Sequence, residues 1–263
     1  MTNPPEAPVE SSQKRADRPF DLVVLGATGF TGKLVASYLH EHGGPDLTWA
    51  VAGRDASRLA ELTERYGAPG LVVDVHDPDQ VDAVIGKTRA VITTVGPYLE
   101  LGRNVVASCA RLGTHYADLT GESLFAEQCQ RDFAEEAQQS GARILHACGF
   151  EAVPTDLGVH EVVKRLPEGP RFVYGMLQSH GSFSGGTLAS ALGIFAQPRR
   201  RTSRGSGGQK PPKLRYDETV RRWVAPVPLI DISIIRSSAR KLPEVYGEDF
   251  TYHHLMCLPG RRP

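Results

Sequence analysis

Three glycines at a spacing of three, Gly26, Gly29 and Gly32, stand inside DLVVLGATGFTGKLVASYL, residues 21–39, where an apolar run gives way to helix-period residues. A strand, a glycine turn and an amphipathic helix form the context in which such glycines bind a dinucleotide. Gly26 lets the chain leave the strand in a tight turn, Gly29 keeps side-chain atoms away from a pyrophosphate, and Gly32 lets the helix lie close to the strand. The helix N-terminus adds partial positive charge for the phosphates. The turn as a whole, Gly26, Thr28, Gly29, Phe30, Thr31 and Gly32, is therefore the first cofactor candidate. The rival phosphate motif GxxxxGK[ST] fails: Ala27 stands where its first glycine belongs and Leu34 where its hydroxyl belongs.

The next chemistry-bearing residues end the second apolar run, WAVAGRDASRL, residues 49–59. An NAD site usually places an acid there for the ribose 2′-hydroxyl, whereas this run ends in Gly53-Arg54. A guanidinium suits a 2′-phosphate, with Ser57 and Arg58 as helpers, so NADPH is expected. Asp55 leaves NAD open, since it could be the ribose acid displaced by one residue. Asp74, within LVVDV, joins the cofactor candidates. In VGPY, residues 95–98, Gly96 and Pro97 would pass beside the nicotinamide ribose, and Tyr98 is the catalytic candidate, with packing beneath the cofactor as its alternative. Asp118, Thr120 and Glu122 could orient the nicotinamide or cap a helix. Cys148 reads as a small buried thiol and His146 as a core histidine within a strand. Gly185-Gly186-Thr187 could offer N–H groups to a thioester oxygen or form a capped turn.

The elements that must position these residues alternate. Strands are expected at DLVVL, TWAVA, LVVDV, AVITTV, HYADL and RILHA, and between them Phe30, Leu34, Val35 and Leu39 mark the inner face of a first helix, Leu59, Leu62 and Tyr66 that of a second. Further helices are expected at PDQVDAVIG, GRNVVASCARLG and SLFAEQCQRDFAEEAQQSG. This is an α/β pattern, a Rossmann-type doubly wound parallel sheet. The expected organisation is a disordered leader at 1–18, the nucleotide-binding domain at 19–150 and a smaller α+β domain at 151–263. That last domain carries a flexible basic loop at 198–215. PTDLGVHEVVKRL predicts a helix, RFVYGMLQSH a strand, and the stretch from Tyr216 offers too few periodic apolar residues to close a domain by itself.

With 30 Lys plus Arg against 30 Asp plus Glu, no global field recruits nucleic acid. The RRR run lacks interleaved aromatics and reads as a solvated loop. Four widely spaced cysteines form neither a zinc motif nor a disulfide framework, so no metal and a reducing cytoplasm are expected. The polar N-terminus has no signal-peptide core. No apolar run reaches membrane-spanning length, although peripheral membrane contact stays open.

GATGFTG, WAVAGR, VGPY, YADLTGE (116–122) and CGFEAVPTDLG (148–158), in this order, resemble the saccharopine dehydrogenase-like oxidoreductases, most nearly the bacterial trans-acting enoyl reductases. The resemblance runs from about Asp21 to Gln197. It implies a nicotinamide-dependent reductase that takes an acyl or polyketide chain, free or carrier-bound, in lipid synthesis. A saccharopine-type imine or ketone reductase is the second reading, and a non-catalytic NADP-binding module the third. Family members are longer, so the second domain is expected to be incomplete, to expose an apolar face and to self-associate.

Overall fold

A computed structural model describes residues 17–150, 152–178, 212–227 and 229–258. The expected leader up to residue 16, the Gly185-Gly186-Thr187 turn and the basic loop as far as residue 211 lie outside the described residues. The described chain falls into two compact units that meet in sequence at Cys148 and Gly149.

In the first unit, β1 (Phe20–Leu25), β2 (Trp49–Gly53), β3 (Gly70–Val72), β4 (Thr88–Thr93), β5 (His115–Asp118) and β6 (Ile144–Leu145) form one sheet in the order β3-β2-β1-β4-β5-β6. All neighbours are parallel, with Val24 facing Val51 on one side and Ile92 on the other. The strands read as continuous apolar runs because both faces are covered. Val23 and Leu25 join Val91, Val105, Val106, Tyr116 and Phe125 in one core, while Val24 joins Val51, Ala36, Leu59 and Leu62 in another.

The helices are α1 (Phe30–His42), α2 (Ala56–Tyr66), α3 (Pro78–Ile85), α4 (Tyr98–Leu101), α5 (Arg103–Leu112) and α6 (Ser123–Ser140). Asp55 caps α2 through Arg58 N, and Asp77 caps α3 through Asp79 N and Gln80 N, each satisfying N–H groups that a helix start leaves unpaired. Arg18, the last residue of the expected leader, is tied into the unit: its guanidinium donates to Thr88 O at 2.6 Å, Thr114 Oγ1 at 2.6 Å and Leu112 O at 2.5 Å.

The inner face of α1 differs from expectation. Gly32 and Ala36 are buried, with Val35 and Leu39 beside them, whereas Phe30 and Leu34 point outward with Tyr38. Small residues hold the buried face because the helix backbone lies against the turn that precedes it.

The second unit contains α7 (Val153–Val163), β7 (Arg171–Leu177), β8 (Arg215–Asp217), β9 (Arg222–Pro226), α8 (Asp231–Lys241), α9 (Pro243–Tyr246) and β10 (Phe250–Leu258). The sheet order is β7-β10-β9-β8, with β10 parallel to β7 and antiparallel to β9. The stretch from Tyr216 thus supplies more than its sequence pattern announced. Ile235, Tyr246 and Tyr252 are buried with Val159 and Val163 in a core of their own.

Candidate functional site

In a doubly wound sheet the ligand lies beyond the carboxyl ends of the strands, where the order reverses between β1 and β4. Gly26 leaves β1 there with φ +83°, and a Cβ on it would stand 2.7 Å from Val95 Cγ2 and 2.9 Å from Thr94 Oγ1. Its N–H donates to Ala52 O at 2.8 Å, and Thr94 Oγ1 donates to its carbonyl at 3.2 Å, so β2 and the exit of β4 both fix the turn. Thr94 was not anticipated from sequence. A Cβ on Gly32 would meet Gly26 O at 2.1 Å, which is why α1 can lie so close. On Gly29 it would meet only Gly26 O, at 3.3 Å. Gly29 is the N-cap of α1 and no side chain caps the helix, which leaves the N–H groups of Phe30, Thr31 and Gly32 available to an anion. Thr28 lies near Gly53, at the end of β2.

The three residues after β2 divide their work. Asp55 accepts from Arg58 N at 3.1 Å and Ser57 Oγ at 2.8 Å, and pairs with Arg58 Nε at 3.5 Å. The backbone N–H of Arg58, then Ser57, hold its carboxyl below the usual range. Asp55 is thus occupied as a helix cap, and Ser57 and Arg58 are occupied with it. Arg54 is exposed, and among the described residues nothing pairs with its guanidinium. A 2′-phosphate matches a free cation there better than a ribose hydroxyl does. Asp74 lies past β3 in a turn, where its carboxylate accepts from His76 N at 3.0 Å, so the expected strand ends before it.

Tyr98 is not placed as a catalytic phenol. It is buried, its hydroxyl donates to Thr93 O at 3.1 Å and accepts from Leu119 N at 3.3 Å, and its ring tilts against Phe125. Both directions of the hydroxyl are therefore used by backbone. Gly96 and Pro97 precede it across a cis peptide. Glu122 is buried as well, and its two oxygens accept from Tyr98 N at 2.9 Å and Leu99 N at 3.0 Å. Thr120 Oγ1 accepts from Glu122 N at 3.0 Å. These residues brace the loops after β4 and β5.

Asp118, at the end of β5, is fully buried and gathers four donors. Oδ1 accepts from Thr120 N at 3.0 Å and Ala147 N at 2.8 Å, while Oδ2 accepts from Tyr116 Oη at 2.9 Å and meets His146 Nδ1 at 2.6 Å. β6 stops at Leu145, so His146 lies past the strand rather than within it. Ala147 follows with φ +57°, a left-handed conformation that costs a residue with a Cβ about 1–2 kcal/mol. Cys148 N donates to Asp118 O at 2.7 Å. Burial, then the Asp118 carboxylate, push the Cys148 thiol up, away from the nucleophilic thiolate. Among the described residues no group of His, Cys, Asp and Glu could hold a metal ion. No described helix is long and apolar enough to cross a membrane.

A parallel sheet in this strand order, with an open glycine turn at its switch point, defines a Rossmann-type dinucleotide-binding domain. Residues 22–145 match the family described as saccharopine dehydrogenase NADP binding domain, and NADP is the cofactor of that domain. The chain is 41% identical over 192 residues to a Mycobacterium tuberculosis protein provisionally named trans-acting enoyl reductase, covering 68% of this chain and 45% of that protein. It is 42% identical over 156 residues to the trans-acting enoyl reductase of Mycobacterium leprae, covering 57% of this chain and 37% of the relative. The chain thus spans less than half the length of these relatives. Among solved structures, apo saccharopine dehydrogenase (L-Glu forming) from Saccharomyces cerevisiae is similar at a TM-score of 0.48 and 22% identity, covering 55% of this chain and 30% of that one.

Proposed function

We propose that this chain binds NADPH across the carboxyl ends of β1 to β6 and is the reductase part of a trans-acting enoyl reductase. One observation carries the cofactor assignment: the uncapped start of α1 stands beside an open glycine turn, with Arg54, which pairs with nothing among the described residues, directly after β2. Gly26, Gly29 and Gly32 shape the pyrophosphate seat and the first-turn N–H groups of α1 hold it. Arg54 takes the 2′-phosphate, and Gly96 and Pro97 flank the nicotinamide half.

Bound NADPH supplies the hydride. The chain contributes orientation, exclusion of water and a polar environment at the far end of the sheet. The reacting group, an enoyl C=C, is taken from the names of the relatives, and an acyl or polyketide chain is the proposed carrier of it. NADPH consumption with an enoyl thioester, compared with an imine and a ketone, tests it. Preferential oxidation with the enoyl thioester supports the assignment. Cofactor binding without turnover of any of the three would make the chain an NADP-binding module instead.

A further inference from the structure

The strongest unexplained group in the nucleotide-binding unit is the imidazole of His146. Its side chain is 11% exposed and lies edge-on to Tyr116 and Phe125. Nε2 is shielded from solvent and has no hydrogen-bond partner among the described residues. A buried polar atom left unpaired in a native structure calls for an explanation, and a ligand that supplies the missing bond is one.

Asp118 fixes which role that atom can play. Tyr116 Oη, Thr120 N and Ala147 N all donate to this carboxylate, so it acts as an acceptor, and the short contact from His146 Nδ1 places the proton on Nδ1. In the neutral imidazole Nε2 is then a lone-pair acceptor, held in orientation by its ring partner. The left-handed Ala147, pinned through its N–H to the same carboxylate, keeps the ring at the exit of β6. β4, β5 and β6 form the half of the sheet opposite the adenosine side, where the nicotinamide half of a dinucleotide lies.

We propose that His146 Nε2 accepts a hydrogen bond from the carboxamide N–H₂ of the nicotinamide, with Asp118 as the positioning residue behind it. This rests on the NADPH assignment and deepens it, naming the group that sets the orientation of the reactive ring. The carboxamide is the one amide donor at that end of the cofactor, and it matches an acceptor that no group among the described residues fills.

The test is a binding cycle with the whole chain and needs no turnover. NADP⁺, its acetylpyridine analogue, in which a methyl replaces the amide nitrogen, and adenosine 2′,5′-bisphosphate are titrated into the wild type and His146→Asn. Asparagine keeps a donor toward Asp118 and, being shorter, places no atom at the position of Nε2. The wild type should prefer NADP⁺ over the analogue by about 2- to 12-fold, the worth of one neutral hydrogen bond. His146→Asn should lose that preference and bind the bisphosphate as the wild type does. In the unmodified protein, the His146 Nε2 resonance should move on adding NADP⁺ and stay in place on adding the bisphosphate. Equal discrimination in the variant, or an Nε2 signal unmoved at saturating NADP⁺, overturns the role of His146 alone. Failure of both NADP⁺ and the bisphosphate to bind overturns the cofactor assignment, and this inference falls with it.

Discussion

Gly32 is packed against Gly26 so tightly that a Cβ on Gly32 would stand 2.1 Å from the Gly26 carbonyl oxygen. Gly29, between them, would bring its Cβ no nearer than 3.3 Å to any neighbour, with φ of −76° that any residue adopts. The two glycines therefore answer differently to substitution. Gly32→Ala should destabilise the unit by about 1–3 kcal/mol, the cost of overpacking, and lower the thermal midpoint. Gly29→Val should keep the wild-type midpoint and lose NADPH binding, because its added methyls occupy the phosphate's space. Calorimetric melting paired with cofactor titration separates the two.

In the proposed function, Arg54 is the residue that selects NADPH over NADH. Arg54→Ala should weaken NADPH binding by about 1.5–3 kcal/mol, the worth of hydrogen bonds to a charged group, and leave NADH nearly unaffected. Equal losses for both cofactors would make Arg54 a structural residue.

Glu122 and Tyr98 are bracing residues in this account. Glu122→Ala removes the acceptor for two backbone N–H groups and should cost about 1.5–3 kcal/mol of stability in a denaturant titration. Tyr98→Phe should cost about 0.5–1.5 kcal/mol while leaving NADPH affinity within about twofold. A Tyr98→Phe chain that is fully stable but catalytically dead would restore the phenol to the chemistry.

The parallel sheet was legible because strands buried on both faces appear as apolar runs, and because Gly113 and Gly141 close α5 and α6. Phe30 and Leu34 misled for a physical reason. Hydrophobicity marks a buried face only where there is room for side chains, and α1 touches its turn through Gly32 and Ala36. The second sheet was hidden by distance along the chain, since β10 completes it by pairing with β7 and β9 from a short tail. Arg54 stands where the sequence pattern put it, directly after β2. The hub at Asp118 could not be read in this way, because its donors come from the ends of two strands and the loops beyond them. The available hint was that Asp118 and His146 both stand at the ends of apolar runs.

Asp82 should shape the acid limb of stability. Hydrogen bonding from Arg111, then from Ser108, holds its carboxyl below the ordinary 3.8, joining α3 to α5. A folded-state pKa below the unfolded one means that the unfolded chain binds more protons in that interval. The contribution is therefore present above about pH 3.8 and disappears as pH falls through the lower folded value. Asp82→Asn should flatten this part of the curve of midpoint against pH; an unchanged curve would remove Asp82 from the acid transition.

The most direct measurement is a calorimetric titration of the chain with NADPH and NADH under identical conditions. The titration should show one saturable site per chain, with NADPH bound at least about tenfold tighter, as a charged hydrogen-bonded 2′-phosphate requires. No saturable binding of either cofactor, or equal affinity for both, would contradict it.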